Sequence, residues 1–401
     1  MRNITGILSK LSSYQTIRDD IKNSNTPVFA SGIIDVQNTH VMAALTEELQ
    51  RPALIIAEND IKAREIYENL YFFNKNTVMF DARDIIFYSA DVHSRDTDTK
   101  RLSVLKNLVE GEKINVVVPV DAIFDKIIPP NILKNSVVSI KEYNTEDLIE
   151  KLIYMGYERC ETAESKGQFS VRGGIIDIYP SVSDTAFRIE FWDTEVDSIR
   201  TMDAYTQRSI DRVEEIEIYP VNEFFCDKDR LSKAVDLMEK SYENAKASFE
   251  KKSLSEEESI LETHVGEQIE KLKNREGIVS SIGCINYFYD ETVNIFGYMP
   301  QDTIIFFCEP KRIKQRAENM FKEFSESIKS RIERGYMLSE MADVIYDYTS
   351  VIKMSEKYST VLFSAINGLM PDFNVKDTTD FSVRSTESFT SAFSSIVVYA
   401  T

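Results

Sequence analysis

The chain has 401 residues, 43% of them hydrophobic and 28% charged, which is enough for two or three ordinary globular domains rather than one core. A formal net charge of −19 argues against sequence-independent duplex binding, which draws its affinity from Lys and Arg neutralising backbone phosphates. Scattered cysteines (Cys160, Cys226, Cys284, Cys308) and histidines (His40, His93, His264), with no apolar leader or membrane-length apolar run, make the expectation a cytoplasmic protein with no membrane segment, no metal and no His-based catalytic centre.

In chain order, residues 27–32 (PVFASG) read as a buried strand and turn, and His40 to Leu49 as the helix that follows. Next come ALIIAEN at 53–59, a helix through IKAREIYENLYFF, TVMFDA at 77–82, a helix at 98–109 and INVVVPVDAIF at 114–124. Short apolar strands spaced by helices predict a parallel sheet covered on both faces. Pro129-Pro130 closes this unit, 1–130.

From 131 to 221 the period changes to two. FSVR, IIDIY, FRIEFW and EIEIYP read as strands separated by turn residues such as Gly173-Gly174, preceded by a helix at 145–155, which predicts a small α+β domain. Residues 222–370 return to helices at 229–252 and 255–273, a strand DTIIFFCEP at 302–310, and a long amphipathic helix from Arg312 to Arg334. The expected architecture is therefore an α/β parallel-sheet domain split by an inserted α+β domain. Residues 371–401 read as a linker or the start of a following domain, their end SSIVVYAT resembling the start of a strand.

Two positions test for nucleotide chemistry. A strand, glycine turn and helix near residue 30 is where GxxxxGK[ST] would hold phosphates, but FASGIIDVQNTHVMAAL has one glycine, no lysine, and Asp35 where negative charge repels phosphate. At TIIFFCEP, Cys308 stands where a magnesium-binding Asp is needed, beside Glu309, and a neutral thiol is a poor ligand for a hard cation. Neither a relic of an ATPase nor a plain packing segment would make the chain an enzyme, so no catalytic residue and no cofactor is expected.

Strand alternation sorts the hairpin residues by face. Phe169 and Val171 oppose Ser170 and Arg172; Phe187, Ile189 and Phe191 oppose Arg188, Glu190 and Trp192. The only tryptophan in the chain thus falls on the polar side of its strand, and Trp and Arg are the residues most enriched at binding hot spots. The alternative places Trp192 under the helix near residue 150 or against the neighbouring domain, with Arg188 and Glu190 forming a pair. Gly173-Gly174 reads as a positive-φ turn or bulge, and Asp177, inside an apolar run, as a structural acceptor.

GQFSVRGGIIDIYP, then FRIEFWDTEVDSIRTMDAYTQRSI and IEIYP, closely resembles the UvrB-like module at the N-terminus of the bacterial transcription-repair coupling factors (Mfd). FYSADVHSRDTDTKRLSVLKNL and VVVPVDAIFDKIIPP resemble the same family's first domain. The resemblance implies a degenerate P-loop-helicase-like fold of the RecA and UvrB domain 1 type, and a non-catalytic module recruiting UvrA, the damage-recognition ATPase, to stalled RNA polymerase. It places the UvrA-contacting positions at Arg172, Arg188 and Trp192. It also implies that RNA polymerase and double-stranded DNA are bound by further domains of an ATP-dependent translocase, and that a C-terminal domain masks the same face. The alternative, a divergent UvrB acting as an ATP-dependent damage-recognition protein, would carry an intact phosphate loop and a Tyr-rich clamping hairpin; here Tyr88 to Arg101 reads as running directly into a helix.

Overall fold

The computed structural model describes residues 6–83, 95–140, 143–193 and 195–381. The first part alternates strands β1 (Val28–Ser31), β2 (Ala53–Ala57), β3 (Thr77–Met79) and β4 (Asn115–Pro119) with helices α1 (Ser12–Lys22), α2 (Asp35–Leu49), α3 (Asp60–Phe73) and α4 (Arg95–Val109). β1, β2 and β4 are buried along their whole lengths, as their apolar runs require. α3 begins where the Asn59 side chain accepts the Lys62 N–H. α1 was not anticipated from the sequence; it buries Tyr14, Ile17 and Ile21, spaced three and four apart on one face. The run expected as a strand to 124 stops at Pro119, and Val120–Phe124 form a 3-10 turn. Proline has no N–H to continue a ladder.

The insert follows: α5 (Pro130–Ser136), β5 (Val138–Ser139), α6 (Thr145–Tyr154), β6 (Glu158–Arg159), β7 (Gln168–Arg172), β8 (Ile175–Tyr179), β9 (Ala186–Trp192), β10 (Glu195–Asp203), β11 (Arg208–Val213) and β12 (Glu217–Ile218). β11-β10-β9-β8-β7-β6 form a six-stranded sheet, antiparallel except at the β6–β7 pair. Leu148 and Leu152 of α6, with Met155 just past its end, seal one face against Phe169, Ile176, Ile178, Ile189 and Ile199. EIEIYP supplies only the two-residue β12, which pairs with β5 rather than with the main sheet, so the insert's entry and exit strands are clipped together.

Beyond the insert lie α7 (Lys228–Lys251), α8 (Ser255–Leu261), a π-helical turn at Glu262–Gly266, α9 (Glu267–Lys273), α10 (Ile285–Phe288), β13 (Ile304–Cys308), α11 (Pro310–Glu333), α12 (Tyr348–Ser355), β14 (Ser359–Ser364) and β15 (Asp377–Asp380). Together the two flanks complete one sheet of order β15-β1-β14-β13-β2-β4-β3, parallel throughout its described strands. Because β14 and β13 lie between β1 and β2, neither flank can form this sheet alone. β15 draws Asp377–Asp380 to its edge, where the Ser31 hydroxyl donates to Asp380 at 2.7 Å. The strand expected in SSIVVYAT and the stretch Tyr88–Ser94 lie outside the described residues.

A buried charge cluster fastens the insert's exit to the parallel-sheet domain. Arg101 of α4 is fully buried; its Nε is 2.6 Å from Glu223 Oε1 and its Nη1 2.9 Å from Asp125 Oδ2, with the guanidinium 4.0 Å above the Phe80 ring. Arg83 Nε lies 3.3 Å from both carboxylates. Such a cluster adds little beyond an apolar core of the same volume, but losing one member strands the others without a counter-charge.

Candidate functional site

The outer face of the six-stranded sheet, opposite α6, carries the polar residues of the hairpin strands. Register aligns Ser170 with Asp177 and Asp177 with Arg188, so these side chains form one row across β7, β8 and β9. Asp177 is fully buried and accepts from both neighbouring arginines. Arg188 Nε donates to Oδ1 at 2.6 Å and its Nη2 to Oδ2 at 2.8 Å; Arg172 Nη2 donates to Oδ2 as well. The hydrogen bond to Asp177 holds the Arg188 guanidinium above its usual pKa, in the fully charged form. Asp177 is thus the structural acceptor expected from its place in an apolar run, and the residue that fixes the direction of two guanidiniums.

The arginines are not equally available. The Arg188 side chain is 17% exposed and that of Arg172 49% exposed, so Arg172 turns free donors to solvent while Arg188 acts mainly beneath it. Trp192 is 79% exposed at the end of β9, on the side of the sheet away from α6. The alternative of Trp192 packed under that helix is therefore overturned, because its strand partner faces are already filled by Phe187, Ile189 and Phe191. Arg188 and Glu190 do not pair either: Arg188 is committed to Asp177, and Glu190 accepts the Ser198 hydroxyl at 2.6 Å.

The Gly173-Gly174 turn explains how these residues are held. Gly173 has φ +61°, which the tight two-residue hairpin requires, and a Cβ on Gly174 would stand 2.9 Å from the Phe191 carbonyl oxygen. The Phe191 N–H donates to the Gly174 carbonyl at 2.8 Å. The double glycine is thus a bend that anchors the β9 backbone one residue before Trp192. Strands β10 and β11, not read separately from the sequence, bring Arg200 and Arg212 onto the same face. The alternation of Ile199 inward and Arg200 outward was the signal available for them.

At the C-terminal edge of the parallel sheet, a cleft of about 300 Å³ is lined by Asn38, Glu58, Lys62, Glu309 and Arg312 among others. Glu309 has a left-handed backbone (φ +61°), and its carboxylate accepts the Ser364 hydroxyl at 3.0 Å and the Ala365 N–H at 2.6 Å. It therefore braces the end of β14. Burial, and after it the charges of Glu309 and Glu58, push the Cys308 thiol well above its ordinary range, so it stays neutral. The cleft's cations are engaged by its own acids, Lys62 with Glu65 at 2.7 Å and Arg312 with Glu58 at 3.4 Å. Among the described residues, no group of three or more His, Cys, Asp or Glu side chains is placed to hold a metal ion, and no helix is long and apolar enough to cross a membrane.

The family model described as the UvrB interaction domain matches residues 137–224, which span the six-stranded sheet and α6. Over 346 residues, 85% of its length, the chain is 28% identical to the transcription-repair-coupling factor of Bacillus subtilis strain 168. Over 378 residues, 92% of its length, it is 26% identical to the protein of the same name from Staphylococcus aureus strain USA300. The chain spans 29% and 31% of the lengths of these two relatives. Residues 137–224 carry a UvrB interaction domain, and the chain as a whole is a relative of the transcription-repair-coupling factors that resembles their N-terminal module.

Proposed function

We propose that this chain is a non-catalytic recruiting module that binds UvrA on the outer face of the six-stranded sheet, within a protein that couples stalled RNA polymerase to nucleotide excision repair in the cytoplasm. The observation that carries the reading is an exposed Trp192 on the same sheet face as a half-exposed Arg172 whose guanidinium is oriented by the buried Asp177. A large exposed aromatic sharing a face with a pre-aimed guanidinium is the composition of a binding hot spot, and ordering the arginine beforehand lowers the entropic cost of association. Arg172 would donate to acidic groups of the partner, Arg188 would hold Asp177 in place beneath it, and Trp192 would fill a pocket and exclude water.

The bonding of Glu309 to β14 and the self-paired cations of the neighbouring cleft support the non-catalytic part of this reading. The same observations weigh against the divergent ATP-dependent UvrB. Contacts with RNA polymerase and double-stranded DNA, and masking of the sheet face by a C-terminal domain, would fall to parts of the coupling factor outside the region matched here. Sedimentation of the purified chain mixed with UvrA tests the proposal: a co-sedimenting complex is expected, and two independent boundaries would contradict it.

A further inference from the structure

The outer face continues past the hairpin. Register pairs Arg188 with Arg200 across β9–β10 and Arg200 with Arg212 across β10–β11, so three arginines stand side by side on three neighbouring strands. With strands about 4.8 Å apart, the row covers roughly 10 Å and ends at the sheet's β11 edge. Like charges directly opposite each other destabilise a sheet. Here the row has one buried counter-charge, Asp177, and that lies at the Arg188 end.

Arg200 and Arg212 are both exposed. Among the described residues Arg200 makes no hydrogen bond or ion pair, and Arg212 donates only to the main-chain carbonyl of Asp197, at 3.3 Å. In a chain of net charge −19, an in-register pair of guanidiniums, Arg200 and Arg212, with no ion-pair partner among the described residues is a local departure from the overall sign.

We propose that Arg200 and Arg212 extend the partner-binding face to the β11 edge and receive a row of carboxylates on an acidic surface of the partner protein. The inference rests on the reading of this face as the UvrA site and adds the chemistry the partner must present. Planar guanidinium forks match carboxylates two donors at a time. A nucleic-acid backbone suits the chain poorly, because a net charge of −19 repels an extended polyanion, whereas a localised carboxylate row need meet only this face.

The test is the fluorescence anisotropy of the end-labelled chain titrated with UvrA at low and moderate salt, using Arg200→Glu, Arg212→Glu, Arg200→Lys, Arg188→Ala and Trp192→Ala. Both positions are exposed, so the substitutions are expected to leave the fold intact, to be checked by circular dichroism. Each charge reversal is expected to weaken binding by about tenfold or more and to flatten its salt dependence, with Arg200→Lys falling between the reversal and the parent because it keeps the charge but loses the paired donors. If the reversals bind like the parent while Arg188→Ala and Trp192→Ala are weakened, the extension is overturned and the proposed face stands. If all five variants bind UvrA like the parent, the face itself is wrong and the extension falls with it. If the reversals leave UvrA binding intact but abolish binding to a short DNA duplex, the occupant is nucleic acid and the inference is refuted.

Discussion

Arg188 clasps Asp177 with two hydrogen bonds, Nε to Oδ1 at 2.6 Å and Nη2 to Oδ2 at 2.8 Å, across the β8–β9 pair. The carboxylate is fully buried and also serves Arg172, so its removal leaves two guanidiniums without their counter-charge. Asp177→Ala is therefore expected to destabilise the chain by about 3 kcal/mol, the lower end of the range for breaking a buried pair because Arg172 can turn to water. Urea unfolding followed by circular dichroism checks this. Adding Arg188→Met to the Asp177→Ala background should recover part of the loss, whereas additive losses would mean that the pair is not coupled.

Trp192 contributes contact area to solvent rather than to the core. Trp192→Ala should change unfolding stability by no more than about 0.5 kcal/mol, the usual range for an exposed position without special backbone geometry. A loss of several kcal/mol in the same measurement would place the ring in a packing role instead.

At the end of β13, Glu309 is bonded to Ser364 and Ala365, and Cys308 is buried and neutral. Magnesium and ATP together should therefore leave the melting temperature of the chain unchanged, since only a ligand that binds the native state raises it. A shift that grows with ATP concentration would restore the enzymatic alternative.

The buried cluster predicts the shape of the acid limb of stability. Burial raises the pKa of Glu223, but the attraction of Arg101 and Arg83 outweighs it and the carboxyl titrates below its ordinary value of 4.5. A depressed folded pKa gives stability that is complete above the ordinary value and is lost as pH falls through the folded one. Asp125 runs the other way, because its burial outweighs the pull of Arg83 and Arg101 and raises its pKa. Glu223→Gln should therefore lower stability at neutral pH and flatten its decline as the pH falls below the ordinary value of 4.5. Parallel pH profiles for parent and variant would show that Glu223 contributes nothing to acid sensitivity.

The parts of the structure legible in the sequence are those set by local pattern. Apolar runs such as ALIIA and IIFFC became strands buried from end to end, and the double glycine became the expected turn. β10 and β11 were harder to read because their exposure is mixed and a register shift between Arg200 and Met202 breaks the alternation. Asp177 stood out as a polar residue in an apolar run, but its sharing by Arg172 and Arg188 depends on strand register. Glu309 was visible beside Cys308, yet its role depends on Ser364 and Ala365, 55 and 56 residues further on. Pairings between distant segments carry no local signal, which is why the row of arginines emerged only from the folded sheet.

The central claim is that the exposed hairpin face is the UvrA-binding surface, and calorimetric titration of UvrA with Arg188→Ala and Trp192→Ala tests it most directly. Each truncation is expected to cost about 1 to 4 kcal/mol of binding free energy while the chain stays folded. Affinity equal to the parent's in both variants would contradict it.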